Sequence, residues 1–272
     1  MRIAKKKKVV WLLVLVACAG VLAYIGVLLV RWYIDGKNIE TEITEIENTT
    51  EVVEVGDSET TELVNPPNDK DSDYWYYVKL PLIDVNLTEL KKKNPDTVGF
   101  LSVAGTNINY PVVQAGDNTY YLTRSFKKKP NRAGWVFMDY RNNPNLENQN
   151  TVIYGHGRLD TTMFGSLKNI LNTTWVNNKD NYVVRYVTET EMMLFWVFAV
   201  YEVPVESYYI QIGFGSNNEY QKWLDTMIGR SKYMFNTAVN IKDRVLTLST
   251  CKDTRGNRVV MHAKLIKKDQ RN

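Results

Sequence analysis

The sequence predicts a mainly β domain, a sandwich or closed barrel of eight short strands, behind one membrane-spanning helix. Three observations predict it. Eight runs of β-forming residues lie between Phe100 and Ile266, separated by Gly, Asn, Asp and Pro clusters. An uncharged run of 22 residues, Val9 to Val30, sits near the start of the chain. Charge is also segregated within the 272 residues: residues 1–34 carry +6 and residues 35–73 carry −11. With +4 overall, the remainder carries +9. Composition excludes collagen, wholesale disorder and a disulfide-rich miniprotein.

At about 1.5 Å per residue, Val9 to Val30 reaches about 33 Å, enough to cross a bilayer core. It is too long for the apolar core of a cleaved signal. The basic cluster Lys5 to Lys8 precedes the span and acidic chain follows it. The positive-inside rule therefore predicts a single-pass protein of the cell membrane, N-terminus in the cytoplasm and the rest extracellular. Leu15-Val16-Ala17-Cys18 has the look of a lipoprotein processing site, but the chain stays apolar for twelve more residues. Cys18 is read as a small hydrophobe in the span. Residues 35–73 are poor in aromatics and rich in acids, and read as a flexible stalk. The expected organisation is a tail and anchor at 1–34, a stalk at 35–73 and a globular domain at 74–272.

Within the globular part, a helix is expected around Leu87 to Lys93, ended by Asn94-Pro95. The expected strands are Phe100 to Val103, Asn107 to Val113, Gly134 to Asp139, Thr151 to Tyr154, Tyr182 to Val187, Met192 to Val203, Val245 to Ser249 and Arg258 to Ile266. Two helices interrupt them. Thr161 to Leu171 has Asp160 as a possible cap. Glu219 to Ile228 places Tyr220, Trp223, Leu224, Met227 and Ile228 on one face, with Gly229 as its stop.

The chain has two cysteines and two histidines. A Cys/His zinc site would need all four, one of them from the apolar span. Cys251 is the only cysteine beyond the span, so it is an accident or a reactive thiol. It closes a strand pattern and opens a polar turn, where a nucleophile can be rigid and still accessible. A thiol nucleophile needs a proton partner. His156, between Gly155 and Gly157 at the end of a strand pattern, is the first candidate. His262 lies on the less apolar face of its strand and reads as a surface or hydrogen-bonded structural residue. Arg258 starts the strand after the cysteine turn, so hairpin geometry brings it near Cys251. There a guanidinium can hold an oxyanion or substrate carbonyls. Arg255, inside the turn, is the alternative.

Thr247-Leu248-Ser249-Thr250-Cys251, Tyr154-Gly155-His156 and Arg258-Val259-Val260 together resemble the signature of sortases, the cysteine transpeptidases of Gram-positive bacteria. Further stretches resemble class B: Asn94-Pro95-Asp96-Thr97-Val98-Gly99-Phe100-Leu101, Ile108 to Gln114, Asp117 to Leu122, and Gly134 to Arg141. The match runs in order over about residues 74–268. The resemblance implies an eight-stranded sortase-type β-barrel with N-terminal helices and a helix between strands 6 and 7. It implies a catalytic set of Cys251, His156 and Arg258, with Ser249 and Thr250 as substrate-binding candidates, and no metal or cofactor. The implied reaction cleaves a sorting peptide of a surface protein at a threonine carbonyl. It then passes the acyl group to an amine on a peptidoglycan precursor. Nucleic acid is not an expected partner. Two other readings of the same residues are a membrane-tethered cysteine hydrolase, with water as acceptor, and a non-catalytic extracellular binding barrel.

Overall fold

The computed structural model describes residues 2–251 and 256–271, with side chains from Val10 onward. The chain opens with one continuous helix, α1 (Arg2–Thr49), followed by short strands β1 (Val52–Val55) and β2 (Glu62–Leu63). The helical turn α2 (Tyr74–Tyr77), strand β3 (Leu82–Val85) and helix α3 (Leu87–Lys93) lead into the barrel. Asn86 caps α3 by accepting the Glu89 amide, and three lysines occupy its last turn, where the helix dipole favours cations.

The barrel strands are β4 (Thr97–Val103), β5 (Asn109–Val113), β6 (Phe137–Met138), β7 (Asn150–His156), β8 (Val183–Val187), β9 (Glu191–Pro204), β10 (Val245–Cys251) and β11 (Asn257–Gln270). They pair in the order β10-β7-β6-β5-β4-β8-β9-β11, and β11 pairs again with β10, which closes the barrel. All eight runs expected from the sequence are strands, with shifted ends. Six of the eight neighbouring pairs are antiparallel. The parallel pairs are β5 with β6 and β7 with β10. The second of these positions the site, because it brings two strand C-termini to the same end of the barrel.

After the short helix α4 (Thr173–Val176) ahead of β8, helix α5 (Asn217–Arg230) lies between β9 and β10, as expected. Ser216 caps it by accepting the Glu219 amide, and the Glu219 carboxylate in turn accepts the Gly215 amide. The helix runs through Gly229 to Arg230. Its buried Tyr220, Trp223, Leu224 and Met227 pack on Phe198, Tyr201 and Val260 as a second core outside the barrel wall. Burying each such side chain contributes roughly 1.5–3 kcal/mol. This layer is why both faces of β11 are buried, including the face that carries His262. The helix expected at Thr161 to Leu171 is shorter, a 3-10 turn over Gly165–Leu171. Asp160 does not cap it; its carboxylate is held by Arg158 and Thr162.

Residues 35–73 differ from the flexible stalk that their composition suggests. Helix α1 continues unbroken to Thr49, and Ile39, Glu42 and Ile46 are buried on the barrel. Asn131 donates to the Asp35 carbonyl at 3.0 Å, and the Lys127 amide donates to Glu42 at 2.6 Å. Beyond the helix, β1 pairs with β3 and β2 with β11. Hydroxyls of Ser58, Thr60 and Thr61 donate to the buried Asp269 carboxylate. The physical reason is periodicity. Three isoleucines at positions 39, 43 and 46 form one helical face, and the acids beside them meet a basic loop. Average composition hides both features.

Candidate active site

Residues of β7, β10 and β11 form the site, side by side on the outer face of the barrel. In the parallel pairing of β7 with β10, Cys251 is directly opposite His156. In the antiparallel pairing of β10 with β11, Ser249 faces Val260, so continuing the register brings Arg258 beside Cys251. All three line one cavity of about 370 Å³ together with Asn118, Leu122, Phe137, Tyr154 and Ile210. Strand alternation fixes their common direction: His156 and Tyr154 share one face of β7.

The His156 ring is held at Nε2, 2.8 Å from the Leu122 carbonyl oxygen. A carbonyl can only accept, so Nε2 carries the proton and Nδ1 holds the free lone pair in the neutral ring. Gly134 lies behind the ring at φ +65°, and a Cβ there would stand 2.7 Å from His156 Cδ2. Gly155 leaves room for the Phe164 ring, which a Cβ would meet at 2.7 Å, so its role is close packing in a strand. Gly157 has ordinary space around it.

Electrostatics favour a neutral pair. Burial pushes the Cys251 thiol up to about 12, and the Arg258 guanidinium only partly opposes this. Burial also pushes His156 below the usual imidazole value, against the Leu122 hydrogen bond, and the Arg158 charge adds to the lowering. At neutral pH the resting state is thiol plus imidazole, a point that the sequence leaves open. The Arg258 Nε is buried and has no hydrogen-bond partner among the described residues. Arg255 lies outside the described residues.

Ser249 and Thr250 differ from their expected place in a substrate groove. Ser249 is fully buried, with its hydroxyl 3.0 Å from that of Tyr209. Thr250 turns to the opposite face of β10 from Cys251, where its hydroxyl accepts the Val259 amide at 2.8 Å. Both hydroxyls are occupied by the fold, and neither residue lines the cavity. His262 is fully buried between Thr247, 2.8 Å from Nδ1, and Tyr201, 2.7 Å from Nε2. It is the hydrogen-bonded structural residue of the two readings. Asn118 and Leu122 lie in the stretch Asp117 to Leu122 that carries the class B resemblance but were given no role there, and Tyr209 was not singled out. They come from a loop, a 3-10 turn and another 3-10 turn, and none is a residue type that marks catalysis by itself.

A model of the sortase domain matches residues 101–266. The sortase B of Listeria monocytogenes is 37% identical over 186 residues, 67% of this chain and 74% of that protein. The sortase B of Staphylococcus aureus is 35% identical over 181 residues, 65% of this chain and 73% of that protein. Among solved structures, sortase B from Bacillus anthracis is 33% identical with a TM-score of 0.68, covering 86% of this chain and 99% of that one. A Staphylococcus aureus sortase B–substrate complex is 34% identical with a TM-score of 0.62, covering 66% and 84%. The chain belongs to the sortase family. The relatives named above are sortase B proteins, and the chain is a cysteine transpeptidase of the sortase B type.

Proposed function

We propose that this chain is anchored in the cell membrane with its catalytic domain outside, and joins surface proteins to a cell-wall precursor amine through a thioacyl-enzyme. The observation that carries the reading is the row His156–Cys251–Arg258 on three adjacent strands, opening on one cavity. In acylation, the Cys251 Sγ bonds to a threonine carbonyl carbon of the sorting peptide. Its proton passes to His156, and the C–N bond breaks as His156 returns that proton to the leaving amine. In the second half, an amine attacks the thioester carbonyl and the C–S bond breaks. The amine's proton returns by way of His156 to the thiolate. Arg258, whose Nε has no partner among the described residues, is the donor for the oxyanion or the peptide carbonyls. Ser249 and Tyr209 act as backing that fixes the wall beside Cys251.

Support for an amine acceptor comes from a solved sortase B complexed with triglycine, 34% identical to this chain. The N-terminal helix is long and apolar enough to span a membrane. Lys5 to Lys8 ahead of it and the acidic residues behind it support a cytoplasmic N-terminus. We divide the chain into an anchor at 1–34, a connecting segment at 35–73 and the catalytic domain at 74–272. The test is mass spectrometry of acyl-enzyme trapped from a peptide library, with and without an added amine. A Cys251 adduct cleaved at threonine, and resolved faster by amine than by water, is expected. An adduct resolved only by water indicates a hydrolase. Equal turnover by Cys251→Ala overturns the mechanism.

A further inference from the structure

The membrane span and the helix that docks on the barrel are one unbroken helix. The height of the catalytic domain above the bilayer therefore follows from helix geometry. If Val30 marks the edge of the hydrocarbon, the headgroup layer occupies the next ~5–7 Å, since a bilayer with a ~30 Å core is ~40–45 Å thick overall. At about 1.5 Å per residue this layer covers the helix to about Asp35. Arg31, Trp32 and Tyr33 are the residue types that settle at this level.

The barrel reaches the helix within that layer. The Arg158 guanidinium lies over the Trp32 ring, 5.6 Å from its centroid. A Cβ on Gly36 would come within 3.2 Å of Arg158 Nη2, so the helix passes close over this residue. Asn131 holds the Asp35 carbonyl, as above, and the Arg132 amide lies 3.4 Å from the Asp35 carboxylate. Arg158 is itself nearly buried, yet Leu159 next to it is 83% exposed. A leucine so exposed at the tip of a turn has no packing role in the barrel. Lys129 and Arg132 on the neighbouring loop are also exposed.

We infer that the turn after the catalytic histidine rests in the lipid headgroup layer, with Leu159 inserted at its tip and Arg132 facing the phosphates. His156 is two residues from Arg158, and its partner Leu122 precedes Thr123, whose carbonyl accepts the Asn131 amide. Both supports of the imidazole thus lead to the membrane helix within a few residues. The placement rests on the proposed membrane span of α1 and not on the proposed transpeptidation.

The experiment uses the full chain with Cys18→Ser and Cys251→Ser, so that a single nitroxide can be placed. Leu159→Cys, Arg132→Cys and, as a solvent reference, Met234→Cys, where the side chain is 89% exposed after α5, are labelled in turn. Each is reconstituted into phosphatidylglycerol–phosphatidylcholine vesicles, with folding checked by circular dichroism. Collision with oxygen and with a water-soluble nickel chelate reads depth. The expected result is an oxygen-to-nickel ratio at Leu159→Cys at least threefold above that at Met234→Cys, with Arg132→Cys between them. Ratios at Leu159→Cys and Arg132→Cys equal to that at Met234→Cys overturn the placement, whatever the acyl-enzyme experiment shows.

Discussion

Gly134→Ala tests whether the rigidity behind the imidazole matters for catalysis. The residue has φ +65°, where an L side chain costs about 1–2 kcal/mol. The added Cβ would stand 2.7 Å from His156 Cδ2, 2.7 Å from the Tyr121 carbonyl oxygen and 3.0 Å from that of Leu122. Carbon contacts are comfortable at roughly 3.5–4.0 Å, so about 1 Å of relief is needed. Two of the obstacles are backbone atoms, and one of those is the acceptor that holds the ring. The imidazole therefore has to move. A misplacement near 1 Å costs about 10²-fold in rate. The expected result is a fall of ~10- to 100-fold in kcat/KM for a sorting peptide. For a domain of this size Tm should fall by only about 2–8 °C, at 2–4 °C per kcal/mol. Gly116→Ala, where a Cβ meets nothing within 4 Å, is the control and should leave both unchanged. Activity of Gly134→Ala within twofold of the parent, with a lowered Tm, would refute the idea that this glycine positions His156.

Arg258→Ala should lower kcat/KM by ~10²–10³, the usual loss for one preorganised oxyanion donor, and Arg258→Lys should recover little because the planar fork is gone; full activity of the lysine variant would show that charge alone suffices. Because burial raises the Cys251 thiol to about 12, about one part in 10⁵ is thiolate at pH 7, so iodoacetamide labelling should be slow there and climb without a plateau to pH 10. A plateau below pH 8 contradicts the neutral pair. His262 is lowered to about 3 by burial, whereas the unfolded chain titrates near 6.5, so below pH 6.5 the unfolded state binds more protons and stability falls as pH falls. The slope from this residue is about 1.4 kcal/mol per pH unit, down to about pH 3; equal urea midpoints at pH 7 and pH 5 would contradict it.

Much of the site was legible because its chemistry is rare in this chain. One cysteine beyond the span and two histidines leave few pairings to consider. The strand pattern and the ordered motifs supplied the rest of the case for Cys251, His156 and Arg258. The places of Ser249 and Thr250 were not legible, because adjacency in sequence does not reveal facing. Thr250 points to the other side of β10, and Ser249 is covered by Tyr209, forty residues earlier in the chain. The surface alternative for His262 failed for the same reason: α5 covers a strand face that alternation alone leaves open to solvent.

The sequence by itself determined the fold class, the apolar span and the reactive side chains. These are properties of residue type and local period, and neighbours in the chain are enough to set them. Only the tertiary structure decided the parallel pairing of β7 with β10 that sets His156 against Cys251, ninety-five positions apart. It also decided the neutral state of that pair, because burial depends on what every other strand covers. The docking of the acidic segment was decided there too. Its isoleucines and carboxylates acquire partners only when the closed barrel presents the loop from Lys127 to Arg132 at the right distance. A long-range contact carries no local signature; it exists once the closure entropy between distant segments has been offset by the surface they bury together.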